Sequence, residues 1–455
     1  MKACPTTLCG MLPSCDRRRL LPCLFAALCA GSFAARAAAQ EPAAASTAAE
    51  AARGADKTWT LPELIDELKG SNPQLEQAHE AYLAAKLQVP QVSALPAPQV
   101  ALLEQANTGG PFDFKSSSDF FAYPSFTQPF LWPGKRGLAG EVASAQAEVV
   151  GRQYDSLVIQ LVAQLQLNFY QLIALQSQRH FMDEDLQRLE EIKEVAKIRY
   201  ANNAAAFVDY LNAQVAVGAL VNERFGIDKQ IQSAQEQINT LVGHASQTAL
   251  VVRDTASAPQ LPAPPLAELI ALAQRTNPRV AADASQMEAA DKSLALAEKA
   301  FYPDFSLSVG AYTDPALDRP DSTRLYSVGV SVNLPTWGYQ KERAGVGQAR
   351  VQLKAARAGQ SSDLQLLDLA VANAYHALET ALQQVKFNRE RLLPQAQMAY
   401  RLALAGYSSN GGTAFSDLLT AQSSLRGAEL SLLQAQNAAS QAYVSLTGAI
   451  GREPD

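Results

Sequence analysis

The sequence predicts a mainly α-helical protomer with a smaller β part, in which four strands and long coiled-coil helices are built twice from one half-unit. Three observations predict it. Landmarks of the first half return in the second half in the same order. Each half holds a pair of strands with period-two alternation. Each half then holds a helical stretch too long for the core of a globular domain.

Residues 1–39 read as a cleaved secretory signal: a basic cluster at Arg17, Arg18 and Arg19, an apolar run from Leu20 to Phe33, and small residues Ala37, Ala38 and Ala39 before Gln40. A short N-terminal helix is the other reading of that stretch. All five cysteines lie inside it (Cys4, Cys9, Cys15, Cys23, Cys29). The mature chain therefore has no thiol for catalysis, metal binding or disulfides. Cys23 and Cys29 follow Pro22 and Leu28, and Cys15 precedes the arginines, so no lipid anchor is expected. Without the leader, 33 basic residues face 43 acidic ones, a formal charge of −10 (38 − 5 against 44 − 1). That balance argues against a nucleic-acid partner. Residues 40–57 are alanine-rich and expected to be flexible. No run of eighteen or more apolar residues follows the leader, so no transmembrane helix is expected, and a membrane-spanning part would have to be a β-barrel.

Residues 58–257 form the first repeat, 258–264 a proline-rich linker, and 265–449 the second repeat. Asn72–Pro73 returns as Asn277–Pro278, an offset of 205 (277 − 72), and Pro98 returns as Pro303 at the same offset. Gln128–Pro129 matches Leu334–Pro335 at 206 (334 − 128). Phe207 to Gln214 matches Phe415 to Gln422 at 208 (415 − 207). Leu241–Val242–Gly243 matches Leu446–Thr447–Gly448 at 205 (446 − 241). Such a period is a duplication rather than a solenoid repeat.

Strands are expected at about 98–105, 119–130, 303–313 and 324–334. Tyr326, Val328, Val330, Val332 and Leu334 alternate with Leu325, Ser327, Gly329, Ser331 and Asn333, giving one apolar and one wet face. Phe120, Ala122, Pro124 and Phe126 share a face in the second strand, which Pro124 weakens because it cannot donate to a ladder. Such strands fit a membrane barrel or an edge hairpin of a soluble domain. Four strands cannot close a barrel and would leave two edges exposed. A trimer gives twelve strands and removes every edge.

The long helices are expected over 137–200 and 342–406, each about 64 residues and roughly 96 Å. Val158, Val162, Leu165, Phe169 and Leu172 follow a heptad rhythm, as do Leu364, Leu367, Val371, Ala374, Leu378, Ala381 and Val385. An amphipathic helix on an ordinary bundle has a similar pattern. Pro394 should kink the second helix.

Together these features resemble the TolC-like outer-membrane factor family. The resemblance rests on both Asn-Pro helices, on the junctions Gln128 to Arg136 and Leu334 to Gly338, and on the Phe207 and Phe415 segments with their Leu-x-Gly ends. It covers about Trp59 to Gly448. It implies a homotrimer whose twelve-stranded outer-membrane β-barrel joins a periplasmic α-helical barrel. It further implies a passive efflux duct, without enzymatic activity or cofactor, that docks a periplasmic adaptor protein bound to an inner-membrane pump. The Trp132–Pro133–Gly134–Lys135–Arg136 junction looks most like the branch serving heavy-metal pumps of the resistance-nodulation-division type.

In that family the hairpin tips pinch the tunnel shut. By position the resemblance points to Tyr200, Asp209, Tyr407 and Asp417 as periplasmic gate residues. A threefold axis would turn each aspartate into a cation-attracting ring. An aspartate at a helix start is also an ordinary N-cap or dipole partner. The chain departs from the family pattern at Thr413 and Thr420, where a gate arginine and a second pore aspartate occur in some members, and Arg199 and Arg401 lie near the tips but not at the matching place. His79, His180, His244 and His376 show no ligand spacing, so no metal site is expected. A soluble periplasmic coiled-coil adaptor is the competing reading.

Overall fold

The computed structural model describes residues 58–106, 120–253, 264–313, 324–334, 339–409 and 412–452, all within one unit, Ala55–Asp455. The expected signal, the whole 40–57 segment, the linker before Pro264 and the junction residues Pro335–Gly338 lie outside the described residues.

The elements run β1 (Thr58–Trp59), α1 (Leu61–Ser71), α2 (Pro73–Ser93), β2 (Gln99–Ala106), β3 (Phe120–Phe130), α3 (Lys135–Ala201), α4 (Phe207–Val242) and β4 (Val251–Val252). The order then repeats as α5 (Leu266–Thr276), α6 (Pro278–Glu298), β5 (Asp304–Thr313), β6 (Arg324–Asn333), α7 (Gln340–Phe387), a π turn (Asn388–Leu392), α8 (Leu393–Ser408) and α9 (Phe415–Ile450). β1 and β4 pair in parallel, which the sequence did not suggest because two residues carry no periodicity.

The two Asn-Pro landmarks do one job each, and it is the same job. Asn72 ends α1 and caps α2, accepting from the N–H groups of Gln74 and Leu75 at 2.8 and 3.1 Å, with Pro73 at the first helical position. Its Nδ2 donates 2.6 Å to the Leu241 carbonyl, and the Ser71 hydroxyl donates 2.9 Å to that of Val242. Those carbonyls close α4, which ends on Gly243 at φ 83°. A side chain at Gly243 would also stand 2.6 Å from the Ser71 carbonyl oxygen. In the second half Asn277 accepts from Arg279 and donates 2.9 Å to Ala449, while Thr276 donates 2.6 Å to Ile450. The left-handed glycine there is Gly451 at φ 79°. The structural counterpart of Gly243 is therefore Gly451, at an offset of 208 (451 − 243). The expected match at Leu446–Gly448 is one turn early: Gly448 lies inside α9.

The long helix α3 spans 67 residues without a break, roughly 100 Å. Val162, Leu165, Phe169 and Leu172 are fully buried along one seam, and Val371 and Leu378 do the same on α7. One stretch of α3 is long and apolar enough to cross a membrane on those criteria alone, contrary to the expectation that none would be. Its apolarity belongs to this seam, where Gln166 is buried among the leucines. The kink expected at Pro394 takes the form of the π turn just before it. Proline offers no N–H to the carbonyl four residues earlier, and a widened turn absorbs the mismatch.

The sheet runs β2-β3-β5-β6, antiparallel throughout. Register aligns Val100, Phe126, Val309 and Val328 in one row, and Phe130, Phe305 and Val332 in another. The opposite face carries Thr127, Ser308 and Gly329, then Ser125, Gly310 and Ser327. The apolar face is uncovered: Val100, Tyr326 and Val328 are each more than 70% exposed. β3 continues through Pro124, but its pairing to β5 stops beside it, at Ser125. β2 and β6 are open edges.

We predict that Asn72→Ala destabilises the protein by about 1–2 kcal/mol through loss of the cap and the bond to α4. Asn72→Asp should keep the cap and lose only the cross-helix donor. Thermal melts ranking wild type above Asp above Ala would bear this out; identical melts for all three would not.

Candidate functional site

At the root of the sheet, the Trp-Pro-Gly-Lys-Arg junction ties the halves together. Gly134 starts α3 at φ 88°, a conformation that suits glycine. Lys135 Nζ donates 2.8 Å to Asp304 Oδ1 and 2.9 Å to the Tyr302 carbonyl. The Trp132 N–H reaches the same Asp304 oxygen at 2.8 Å, and its ring stacks on Tyr302 with centroids 5.2 Å apart. The lysine is mostly buried, so the pair is screened less than a surface ion pair.

At the other end of the helices, two hairpin tips meet. α3 closes through Asn202 and Asn203, the latter at φ 56°, before α4 begins. α8 and α9 close the second tip. Arg199, in the last turn of α3, crosses to the second tip. Its guanidinium lies 4.6 Å from the centre of the Tyr407 ring, and Nη1 donates to the Tyr407 carbonyl. Nη2 holds the Ala204 carbonyl of its own tip at 3.0 Å. The Tyr407 hydroxyl donates 3.3 Å to Asp209 Oδ2 at the start of α4. Tyr407 is only 3% exposed and packs on Phe415. Gly406 permits this, because a side chain there would run into the Thr413 hydroxyl.

Of the four residues expected at the gate, Asp209 and Tyr407 are brought together. Tyr200 is exposed and packs on Phe207, with ring centres 5.1 Å apart. Asp417 is exposed in the first turn of α9. Neither aspartate is an N-cap. The caps are Ala206 and Ala414, and both aspartates are third residues of their helices, where the helix dipole favours a negative charge. Sequence reasoning set Arg199 aside because it looked for an arginine at the second tip. The structure supplies one to Tyr407 from the first. Thr420, at the place of a second pore aspartate, bonds its own helix at Ser416.

Burial first, and then the Asp209 charge, push the Tyr407 hydroxyl above the ordinary tyrosine range. Among the described residues no group of three or more His, Cys, Asp or Glu could hold a metal. His79, His180, His244 and His376 each lie beside one glutamate.

A family model described as outer membrane efflux protein matches residues 64–244 and 269–452. The outer membrane efflux protein BepC of Brucella suis biovar 1 (strain 1330) is 24% identical over 314 residues, 68% of this chain. The match spans 66% of that protein, just under two thirds of its length. Among solved structures, the outer-membrane channel OprN superposes with a TM-score of 0.76 at 20% identity, covering 87% of this chain and 91% of that one. CusC gives 0.74 at 18%, covering 86% and 92%. The outer membrane protein VceC of Vibrio cholerae gives 0.73 at 18%, covering 86% and 96%.

A raised folded-state pKa favours the neutral hydroxyl. The stability carried by the Tyr407–Asp209 contact is thus complete below about pH 10 and is lost as pH climbs through the higher folded value. We predict that tyrosinate absorbance shows a late-titrating group above about pH 10 that is missing from Tyr407→Phe. Titration of Tyr407 together with the exposed tyrosines would contradict the contact.

Proposed function

The chain belongs to the outer membrane efflux protein family, and we propose that it is the outer-membrane channel-tunnel of a tripartite efflux system. Three protomers pair their sheet edges into a twelve-stranded barrel. The helices of the two repeats, 58–257 and 265–449, continue it as an α-helical barrel in the periplasm. The duct is passive. An inner-membrane pump of the resistance-nodulation-division type drives solutes, metal ions or drugs among them, through a periplasmic adaptor docked at the tips. The segment 1–39 is a signal removed on export.

The observation that carries this reading is the two-faced sheet. One face is a band of exposed Val, Phe and Tyr, and the other is Ser, Thr and Gly. In water the apolar band would be an aggregation surface. In a bilayer it meets lipid, while the small polar face lines a wet lumen. A soluble periplasmic scaffold has no use for that band.

The gate is the contact of the two tips. Arg199, Asp209 and Tyr407 hold each protomer's hairpins together, and Tyr200 and Asp417 face the axis. Threefold symmetry makes rings of the aspartates that favour cations.

Charge reversal of both Asp209 and Asp417 to lysine should raise closed-state conductance several-fold in planar bilayers and weaken cation preference. Folded trimers that conduct and select like wild type would remove these residues from the gate. Fractionation tests the wider reading: heat-modifiable migration from the outer-membrane fraction supports the duct, and full solubility in a periplasmic extract sinks it.

A further inference from the structure

Above the tips, by about thirteen residues of α3 and so roughly 20 Å, a second set of polar groups joins the two hairpins. Arg188 on α3 makes a two-pronged bond to Glu429 on α9, Nη1 to Oε1 and Nη2 to Oε2, both at 2.9 Å. Gln422 on α9 donates 2.6 Å to Asp185 Oδ1 on α3. Asp185 is 1% exposed, and the Arg188 and Glu429 side chains are mostly buried. Apolar seam residues surround them: Met182 and Leu189 on one side, Leu418 and Leu425 on the other. Arg426 extends the same contact to Glu223 on α4 at 3.1 Å.

Stability alone does not account for this cluster. A buried ion pair is often no better than an apolar pair of the same volume, whereas breaking one costs several kcal/mol. Burial pushes the Asp185 carboxyl above the ordinary carboxylate range. Its second oxygen and the Tyr400 hydroxyl on α8 are buried without a hydrogen-bond partner among the described residues. What a polar seam does offer is register between two helices, and a contact that parts into water with fewer apolar side chains exposed than an all-leucine seam would have.

The cluster also lies beside the one departure from α geometry described in the long helices. The π turn is anchored by Asn388, whose Nδ2 donates 3.0 Å to the Ser431 carbonyl, two residues past Glu429. Beyond that turn comes α8, which carries Tyr407 to the tip. A π turn followed by proline is a place where a helix can bend without losing its remaining hydrogen bonds.

We propose that Asp185, Arg188, Gln422 and Glu429 form a second latch at the level of this hinge, holding the two hairpins in register in the closed channel and parting as α8 swings to open the tip. The inference rests on the duct reading. The test is bilayer conductance of full-length trimers, with Asp209→Asn as the tip control. Glu429→Gln should raise closed-state conductance several-fold, and the charge swap Arg188→Glu/Glu429→Arg should return it toward wild type. The apolar pair Arg188→Met/Glu429→Leu should melt no lower than wild type yet lose efflux, because a dry seam no longer parts. If the tip control rises and Glu429→Gln does not, the latch is overturned and the duct stands. If wild type forms no channel, both fall. Should Glu429→Gln fail to assemble, the swap decides: wild-type conductance supports the latch and raised conductance overturns it.

Discussion

A four-stranded sheet with one bare apolar face and two unpaired edges is the constraint from which the rest of the molecule follows. Rows such as Val100, Phe126, Val309 and Val328 present only hydrocarbon to their surroundings. β2 and β6 present unpaired backbone groups. Neither feature is stable alone in water, and in lipid an open edge costs several kcal/mol for each unsatisfied group. Pairing edge to edge with further copies removes the edges and leaves the apolar band on the outside. The sheet must also be held at a fixed angle to the helices beneath it. The Lys135–Asp304–Trp132 knot does this at the root, with each half supplying one side of the bond.

Below the root, the same economy appears in the helices. Their seams use leucine and alanine at heptad positions, so long helices pack closely over many turns. In each half, partway along the long helix, an asparagine caps one helix and holds the last carbonyls of another. Near the lower end the apolar seam gives way to charge-assisted contacts between the halves, at Arg188–Glu429 and again at Arg199–Tyr407–Asp209.

Much of this was legible in the sequence, and what was missed has a common cause. Strands and long helices were placed to within one or two residues, because alternation and heptads are local signals. Asn72 and Asn277 were recognised as landmarks but not as cross-links, since their partner carbonyls lie about 170 residues away. The repeat offset at the end of the second half was misplaced by one turn. Leu-x-Gly is a common string, whereas the functional glycine is the one with positive φ, Gly451. Asp209 and Tyr407 were picked out by residue type and place. Arg199 was not, because its partner sits on the other hairpin. The latch residues were invisible for the same reason: Arg188 and Glu429 are 241 residues apart, and only the packing register brings them together.

The measurement closest to the central claim is a disulfide scan of the sheet edges in outer membranes. All five native cysteines lie within residues 1–39, so the mature chain gives a clean background if that signal is removed. Ala101→Cys on β2 would be paired in turn with Ser327→Cys, Gly329→Cys and Ser331→Cys on the wet face of β6. Within one protomer these edges are three strand spacings apart, about 14 Å, beyond disulfide reach. The account predicts a ladder of covalent dimers and trimers, ending at three copies, for the pair in register. Monomers alone for every pair would contradict it.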